Sequence, residues 1–474
     1  MTPDTGRLPP TLVPLLLLSI AILMSVVASN GPIQWTDNGA LLADAAQGRY
    51  FSESLGAHPL YHMVSTLFQA LFGSRALSLL NSMLLVPLAW LVVRLAASVG
   101  ATPRQALLAA AATMLSHAVF WVSTKAEVYL LHTLLVLLAY WLHLGLSKRL
   151  SVSRSLLSIG LVTGLAACVD PLTFVVLLPL YVQLLIQHRA RVLLTLPGFL
   201  LGCVAAYPAV IHELRAGTGL LDIGRSYLTD HSVLADGSDW TANLLRFDVL
   251  WHEKNALCVL LLSLIGPSLL GLLPPATRSR WLLWSAAILN LVFAVSYNVF
   301  DRFTLFLPGI ALLSILGVLQ LRKWLPRKPL GNSVLNLSVL SGPLAILLAY
   351  SAYAGGLVQL PTHKESLPFR EDIRYVMVPY LPDRSAQRFV QAYEWGVPEG
   401  SVIVADPTPM GALRAGQAVG LLRGSTLVMC GESMDLRAYL GNPGVYLARL
   451  SFCGMIADDF VLEGMPFGYA LHTK

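Results

Sequence analysis

The chain has 474 residues, of which 55% are hydrophobic and 12% charged, whereas an ordinary soluble domain carries roughly 25% charged residues. That composition excludes a soluble enzyme. The formal net charge of +6 does not point to nucleic acid, because the basic residues sit in short clusters between apolar runs, where membrane topology accounts for them.

Apolar runs of spanning length, about 20 residues each, recur from Leu12 to about Tyr353. The first, at 11–28, follows Arg7 and reads as a retained signal anchor, although Val26 and Ala28 loosely fit a cleavage site. The stretch from His58 to Phe72 carries Tyr61, His62, Ser65, Thr66 and Gln69, which suits a helix lying in the interface rather than a span. Further spans are expected near 76–93, 105–120, 127–146, 155–169, 172–187, 193–213, 255–274, 281–299, 304–321 and 333–354, giving eleven in all. On this assignment Arg7, Arg94, Arg104, Lys148, Arg149, Arg154, Arg189, Arg191, Arg278, Arg280, Arg322, Lys323, Arg327 and Lys328 fall on one side. By the positive-inside rule that side is cytoplasmic. The amino terminus is then inside, and outer loops 29–75 and 214–254 face outward with the C-terminal stretch.

The membrane-spanning part is expected over 1–358. Past it, at 359–474, charges of both signs and polar turns predict a small external α/β domain. Its strands are expected at Ser401 to Ala405, Thr426 to Cys430 and Gly444 to Ala448. Asp406, between a strand and a helix, stands where open α/β sheets bind ligands, although a helix N-terminal cap is the commoner use. The five cysteines have no metal-binding spacing. Cys430 and Cys453 share the outer domain, where an oxidising compartment permits a disulfide between them.

Candidate chemistry gathers in the outer segments. The first reads Gln34-Trp35-Thr36-Asp37-Asn38-Gly39, with Asp44, Arg49 and Glu53 following and His58-Pro59-Leu60-Tyr61 closing it. At the membrane boundary Asp37 would have the partly desolvated setting of a useful general base. An N-terminal cap for a helix beginning near Gly39 is the commoner role for such an Asp, and this segment alone favours it. Lys125 and Glu127 place a cation and an acid at the mouth of a span, where ionisable groups are functional by default, although Trp121 and Tyr129 would also frame them as interfacial anchors. Asp170 and the pair Asp301-Arg302 mark two further outer turns. On the eleven-span topology Asp37, His58, Lys125, Glu127, Asp170 and Arg302 lie at one membrane face.

These segments resemble the GT-C superfamily of membrane glycosyltransferases, in particular the branch related to plexin-type protein O-mannosyltransferases and their bacterial relatives. The resemblance rests on Trp35-x-Asp37-x-Gly39, His58-Pro59-Leu60-Tyr61, Asn81, Phe120-Trp121-x5-Glu127-Val128-Tyr129, and Asp301 with Leu305-Phe306-Leu307-Pro308. It departs from the family pattern at Ala40, where an acid is usual, at the single Pro59, and at His132, where Asn is common. The resemblance implies a polyprenyl-phosphate-linked sugar donor used at the outer face, with a protein, lipid or glycan as acceptor. Asp37 would be the base, Arg302 and then Lys125 the cations for the phosphate, and Glu127, His58 and Asp170 the groups orienting hydroxyls. No cofactor is assigned, and no metal is indicated. The membrane expected is the bacterial inner membrane. A lipid-linked-sugar flippase is the rival from another class, but a transporter should distribute polar groups through the midplane, and no internal repeat is evident. A non-catalytic binding relative is the third reading, made credible by Ala40.

Overall fold

The computed structural model describes residues 11–51, 58–73, 77, 79–146, 151–229, 245–248, 250, 254–297, 299, 301–325, 329–359, 365–431, 434–441 and 443–474. Glu53 and the basic residues at 7, 148, 149, 327 and 328 lie outside the described residues, as do parts of both outer loops.

Helices occupy each of the eleven expected stretches. They are α1 (Leu12–Ala28), α2 (Thr36–Ala46), α3 (Pro59–Phe72), α4 (Leu80–Ser98), α5 (Pro103–Leu115), α6 (His117–Ser123), α7 (Tyr129–Trp141), α8 (Val152–Ala167), α9 (Leu172–His188), α10 (Thr195–Gly202), α11 (Tyr207–Arg215), α12 (Leu220–Thr229), α13 (Lys254–Leu262), α14 (Pro267–Gly271), α15 (Arg278–Ser296), α16 (Leu307–Trp324), α17 (Pro329–Ser338) and α18 (Ser341–Ala354). Among the described residues four helical stretches are long and apolar enough to cross a membrane, or six if each bent pair counts as one. The difference from eleven has local causes. Ser116 takes an extended backbone, so α5 and α6 meet at a 67° bend instead of forming one span over 105–120. The stretch expected at 333–354 is bent by 54°, and 255–274 is divided between α13 and α14. In contrast, 172–187 and 193–213 run together as one helical stretch, Leu172–Arg215, and the expected spans at 11–28, 127–146 and 155–169 are apolar helices of 17 residues or fewer.

Close helix packing relies on small residues. Gly160 and Gly164 on α8 face Gly198 and Gly202 on α10, and a Cβ on any of the four would lie 2.0–2.2 Å from a carbonyl oxygen of the opposite helix. Two small-x3-small stripes thus interlock, bringing the backbones together where lipid supplies no hydrophobic drive between helices.

After α18 come α19 (Asp372–Met377) and α20 (Ser385–Gly396), then a five-stranded sheet. Its strands are β1 (Val402–Ala405), β2 (Thr426–Met429), β3 (Val445–Leu447), β4 (Phe460–Met465) and β5 (Gly468–Thr473), in the order β2-β1-β3-β5-β4, with α21 (Pro407–Ala418) after β1. The parallel part is centred on β1, every residue of which is buried: Val404 stands opposite Val428 on β2 and Leu447 on β3. The antiparallel β4–β5 hairpin was not expected from sequence, because few of its residues are buried, Phe460, Gly468 and Leu471 among them, and Glu463, His472, Thr473 and two glycines dilute the strand pattern. Between β2 and β3 the chain makes a single 3-10 turn, Leu436–Tyr439. Cys430 and Cys453 are disulfide-bonded, with their Cα atoms 5.5 Å apart, and join the end of β2 to the turn after β3.

Gly164→Leu should lower the thermal midpoint of purified protein in detergent, since overpacking costs typically about 1–3 kcal/mol. Gly224→Ala, in open space on α12, should not lower the midpoint, since alanine is the better helix former there.

Candidate active site

The segment from Gln34 to Gly39 is held residue by residue. The Trp35 side chain is buried, donates its indole N–H to Ser385 Oγ at 2.8 Å and packs on Phe389 with ring centres 5.0 Å apart. Gln34 Oε1 accepts the Ala126 N–H at 2.9 Å, and Asn38 Nδ2 donates to the Ala126 carbonyl at 2.8 Å and to Glu127 Oε2 at 3.0 Å. Gly39 lies against Gly411 of α21. Asp37 alone in this run is exposed. The expected cap at a helix starting near Gly39 does not form: α2 starts at Thr36 and Asp37 lies in its first turn. There the positive end of the helix dipole favours an ionised carboxylate.

Asn81, in an otherwise apolar span, donates to the carbonyls of Val122 at 3.2 Å, Lys125 at 2.7 Å and Glu127 at 2.6 Å. It therefore shapes the turn between α6 and α7. Glu127 is buried, and its Oε1 accepts the Val128 N–H at 3.2 Å. Burial pushes its carboxyl well above the usual range, and the charges of Asp301 and Asp37 push it further. Lys125 is enclosed by aromatic rings, with Nζ 3.9 Å from the Trp121 ring centre and 5.0 Å from that of Tyr375. Burial pulls its ammonium down to about 7, against the opposing pull of Asp383 and Glu127. With Asn30, Arg374 and Asp383 it lines a small crevice.

Asp301 sits in the turn between α15 and α16, and its backbone carbonyl accepts the Thr304 N–H at 2.8 Å. Part of its surface stays accessible, yet burial by the surrounding protein, together with the charge of Asp37, raises its carboxyl to about 6. Asp37, Glu127 and Asp301 thus form one electrostatically coupled group. Arg302 stands elsewhere than expected for a phosphate contact. It is fully buried, and its guanidinium donates to the carbonyls of Val299 at 3.1 Å and Val295 at 3.4 Å, closing the C-terminal end of α15.

His58 and Asp170 meet at a second point. His58 takes a left-handed backbone, φ 54°, and donates Nδ1–H to the Val169 carbonyl at 2.6 Å. Asp170 is buried, with Oδ1 accepting the Leu172 N–H at 2.8 Å at the start of α9. Tyr129, partly buried, lies within electrostatic range of Asp170, Glu127 and Asp301 and so stands between the two groups. Among the described residues no three His, Cys, Asp or Glu side chains are placed to hold a metal ion. Asp406 caps α21 by accepting the Thr408 N–H at 3.0 Å and is fully engaged with Arg449, at 2.7 and 2.8 Å, inside the C-terminal unit.

Sequence reasoning passed over Asn38 and Gln34 as framework residues and did not place Asp301 in the site. Asn290 was also missed. It donates to the Leu305 carbonyl at 3.0 Å and accepts the Gly309 N–H at 2.9 Å, bracing the start of α16 beside Asp301. A polar amide inside an apolar span is the signal that could have found it.

No protein-family model and no curated protein matches the chain. Its structure is similar to that of ArnT from Cupriavidus metallidurans in the apo state, with a TM-score of 0.56 at 13% identity over 96% of this chain and 97% of that one. ArnT from the same organism bound to undecaprenyl phosphate matches with a TM-score of 0.56 at 11% identity, over the same shares. The archaeal oligosaccharyltransferase AglB from Archaeoglobus fulgidus gives a TM-score of 0.41 at 12% identity over 87% of this chain and 64% of its own. The chain shares its fold with ArnT.

The raised carboxyl of Asp301 has a sign that can be tested. Between its ordinary 3.8 and about 6 the folded protein keeps a proton there that the unfolded chain has lost, so this group's contribution to stability falls as pH rises through that window. Wild-type protein should lose on the order of 2 kcal/mol more than Asp301→Asn between those limits, read as the difference in thermal midpoint against pH. Parallel curves would refute the assignment.

Proposed function

We propose that the chain is a membrane glycosyltransferase that moves one sugar from a polyprenyl-phosphate carrier to an acceptor hydroxyl at the outer face. The observation that carries this reading is Asp37. It is the exposed carboxylate in a run whose neighbours are fixed, set at the start of a helix beside two further acids. The fold shared with ArnT, a protein seen bound to undecaprenyl phosphate, supports a lipid-phosphate donor.

In the proposed reaction the acceptor hydroxyl attacks the anomeric carbon as Asp37 takes its proton. The bond from that carbon to the phosphate oxygen breaks, inverting the centre, and the phosphate departs with the electron pair. A phosphate is a weak base, so a nearby cation suffices and no strong general acid is required. Of the two cations expected for this role, Lys125 is the better placed, because it lines a crevice whereas the Arg302 guanidinium is taken up by the carbonyls of Val299 and Val295. An ammonium held near neutrality gains its proton fully when a phosphate binds beside it. Glu127 orients through Asn38, while His58 and Asp170, with Tyr129 nearby, form the far wall for sugar or acceptor hydroxyls.

Asp37→Asn should lower transfer roughly 10²- to 10⁴-fold, the range for loss of a proton acceptor, while the protein stays folded. The assay is release of lipid phosphate from a panel of polyprenyl-phosphate sugars by purified protein. Near-normal transfer would remove Asp37 from the mechanism and bring Glu127 or Asp170 forward. The outward-facing assignment has its own test: a reporter that works only outside the cytoplasm, fused after Lys474, should be active, and silence with a cytoplasmic reporter active instead would reverse the topology.

A further inference from the structure

We infer that Gly411, in the C-terminal α/β unit, is a positioning residue for Asp37. This rests on the reading of Asp37 as the base. The two segments are far apart in sequence, yet α2 and α21 meet backbone to backbone. A Cβ on Gly411 would stand 1.9 Å from the Thr36 carbonyl oxygen, and one on Gly39 would stand 2.4 Å from the Gly411 carbonyl carbon and 2.2 Å from the Gln34 carbonyl oxygen. Neither obstacle is the end of a flexible side chain, so any larger residue at 411 must displace the start of α2.

A second observation points the same way. Thr36, whose carbonyl faces Gly411, has φ 53°. A β-branched residue there is a true outlier and persists only where its surroundings over-determine it. Its surroundings do so from both sides. Trp35 is anchored on Ser385 and Phe389 of α20, and Gln34 and Asn38 are tied to Ala126 and Glu127. The residue held in that unfavourable conformation immediately precedes Asp37.

The surface that presses on α2 is itself rigid. Asp406 caps α21 five residues before Gly411 and pairs through both oxygens with Arg449, joining the end of β1 to the residues after β3. The Cys430–Cys453 disulfide joins the end of β2 to the same region. The C-terminal unit is therefore a fixed template for the turn that aims Asp37 at Glu127 and Asp301, rather than a passive appendage.

The test compares Gly411→Ala with Gly416→Ala. Gly416 lies on the same helix, but a Cβ there meets Val390 at 2.5 Å inside the C-terminal unit, so this variant strains the unit without touching α2. With the lipid-phosphate release assay, Gly411→Ala should lower kcat about 10- to 100-fold, as a misplaced catalytic group does, with donor KM within about twofold because the base is not a donor contact. Gly416→Ala should lower the thermal midpoint and keep kcat. If Gly411→Ala fails to fold, Ser385→Ala, which removes the acceptor of the Trp35 indole together with a hydroxyl donor to Asp383, carries the test with an expected kcat loss of about threefold or more. Wild-type kcat in the folded variant tested, or an equal kcat loss in Gly416→Ala, overturns the positioning role while Asp37→Asn stays inactive. Full transfer by Asp37→Asn overturns the base itself, and the inference falls with it.

Discussion

Where an apolar helix breaks, its free N–H and C=O groups must find partners inside the protein, because hydrocarbon offers none. That requirement organises this molecule. The breaks lie between α1 and α2, between α6 and α7, and between α15 and α16, and polar side chains bind the exposed backbone at each, Arg384 and Gln34 doing so at the first through the carbonyls of Ser29 and Gly31. Asn81 takes three carbonyls of the α6–α7 turn, Arg302 takes two near the end of α15, and Asn290 holds both sides of the α16 entry. Ser25, Ser82 and Ser123 add a buried hydroxyl knot linking α1, α4 and α6, with oxygens 2.7 and 2.9 Å apart.

The candidate site is built from these repairs. Each broken end supplies an acid, with Asp37 from the first, Glu127 from the second and Asp301 from the third. Bringing three carboxylates into one partly desolvated place raises the proton affinity of those that are buried, as like charges and low polarity both disfavour ionisation. Glu127 and Asp301 bear that effect. Asp37 escapes burial, and its place in the first turn of α2 favours the charged form a base requires. The division of labour among the three follows from exposure, not from residue type.

The C-terminal unit belongs to the same construction. One continuous apolar cluster runs from the helical bundle through Trp35 and Phe389 to Met410 and Leu413. Trp35 and Gly39 serve as docking points on that unit, and Asn38 as a strut to Glu127, which gives a physical reason for each fixed residue around Asp37. The Trp-x-Asp-x-Gly pattern is thus one chemical group flanked by two packing requirements, an aromatic that fills a pocket and a glycine that admits a backbone.

The membrane character of the chain, its helical stretches and the parallel strands of the C-terminal unit were legible in the sequence. Hydropathy, strand patterning and local charge are properties of short windows, and each of these features is written in one. The bend at Ser116, the start of α2 at Thr36, the burial of Arg302, the membership of Asp301 and the meeting of Gly39 with Gly411 were not. Each depends on what packs against a residue from far along the chain: an arginine in a turn reads as a solvated cation until a helix end closes over it, and a glycine reads as a loop residue until another backbone arrives at its face.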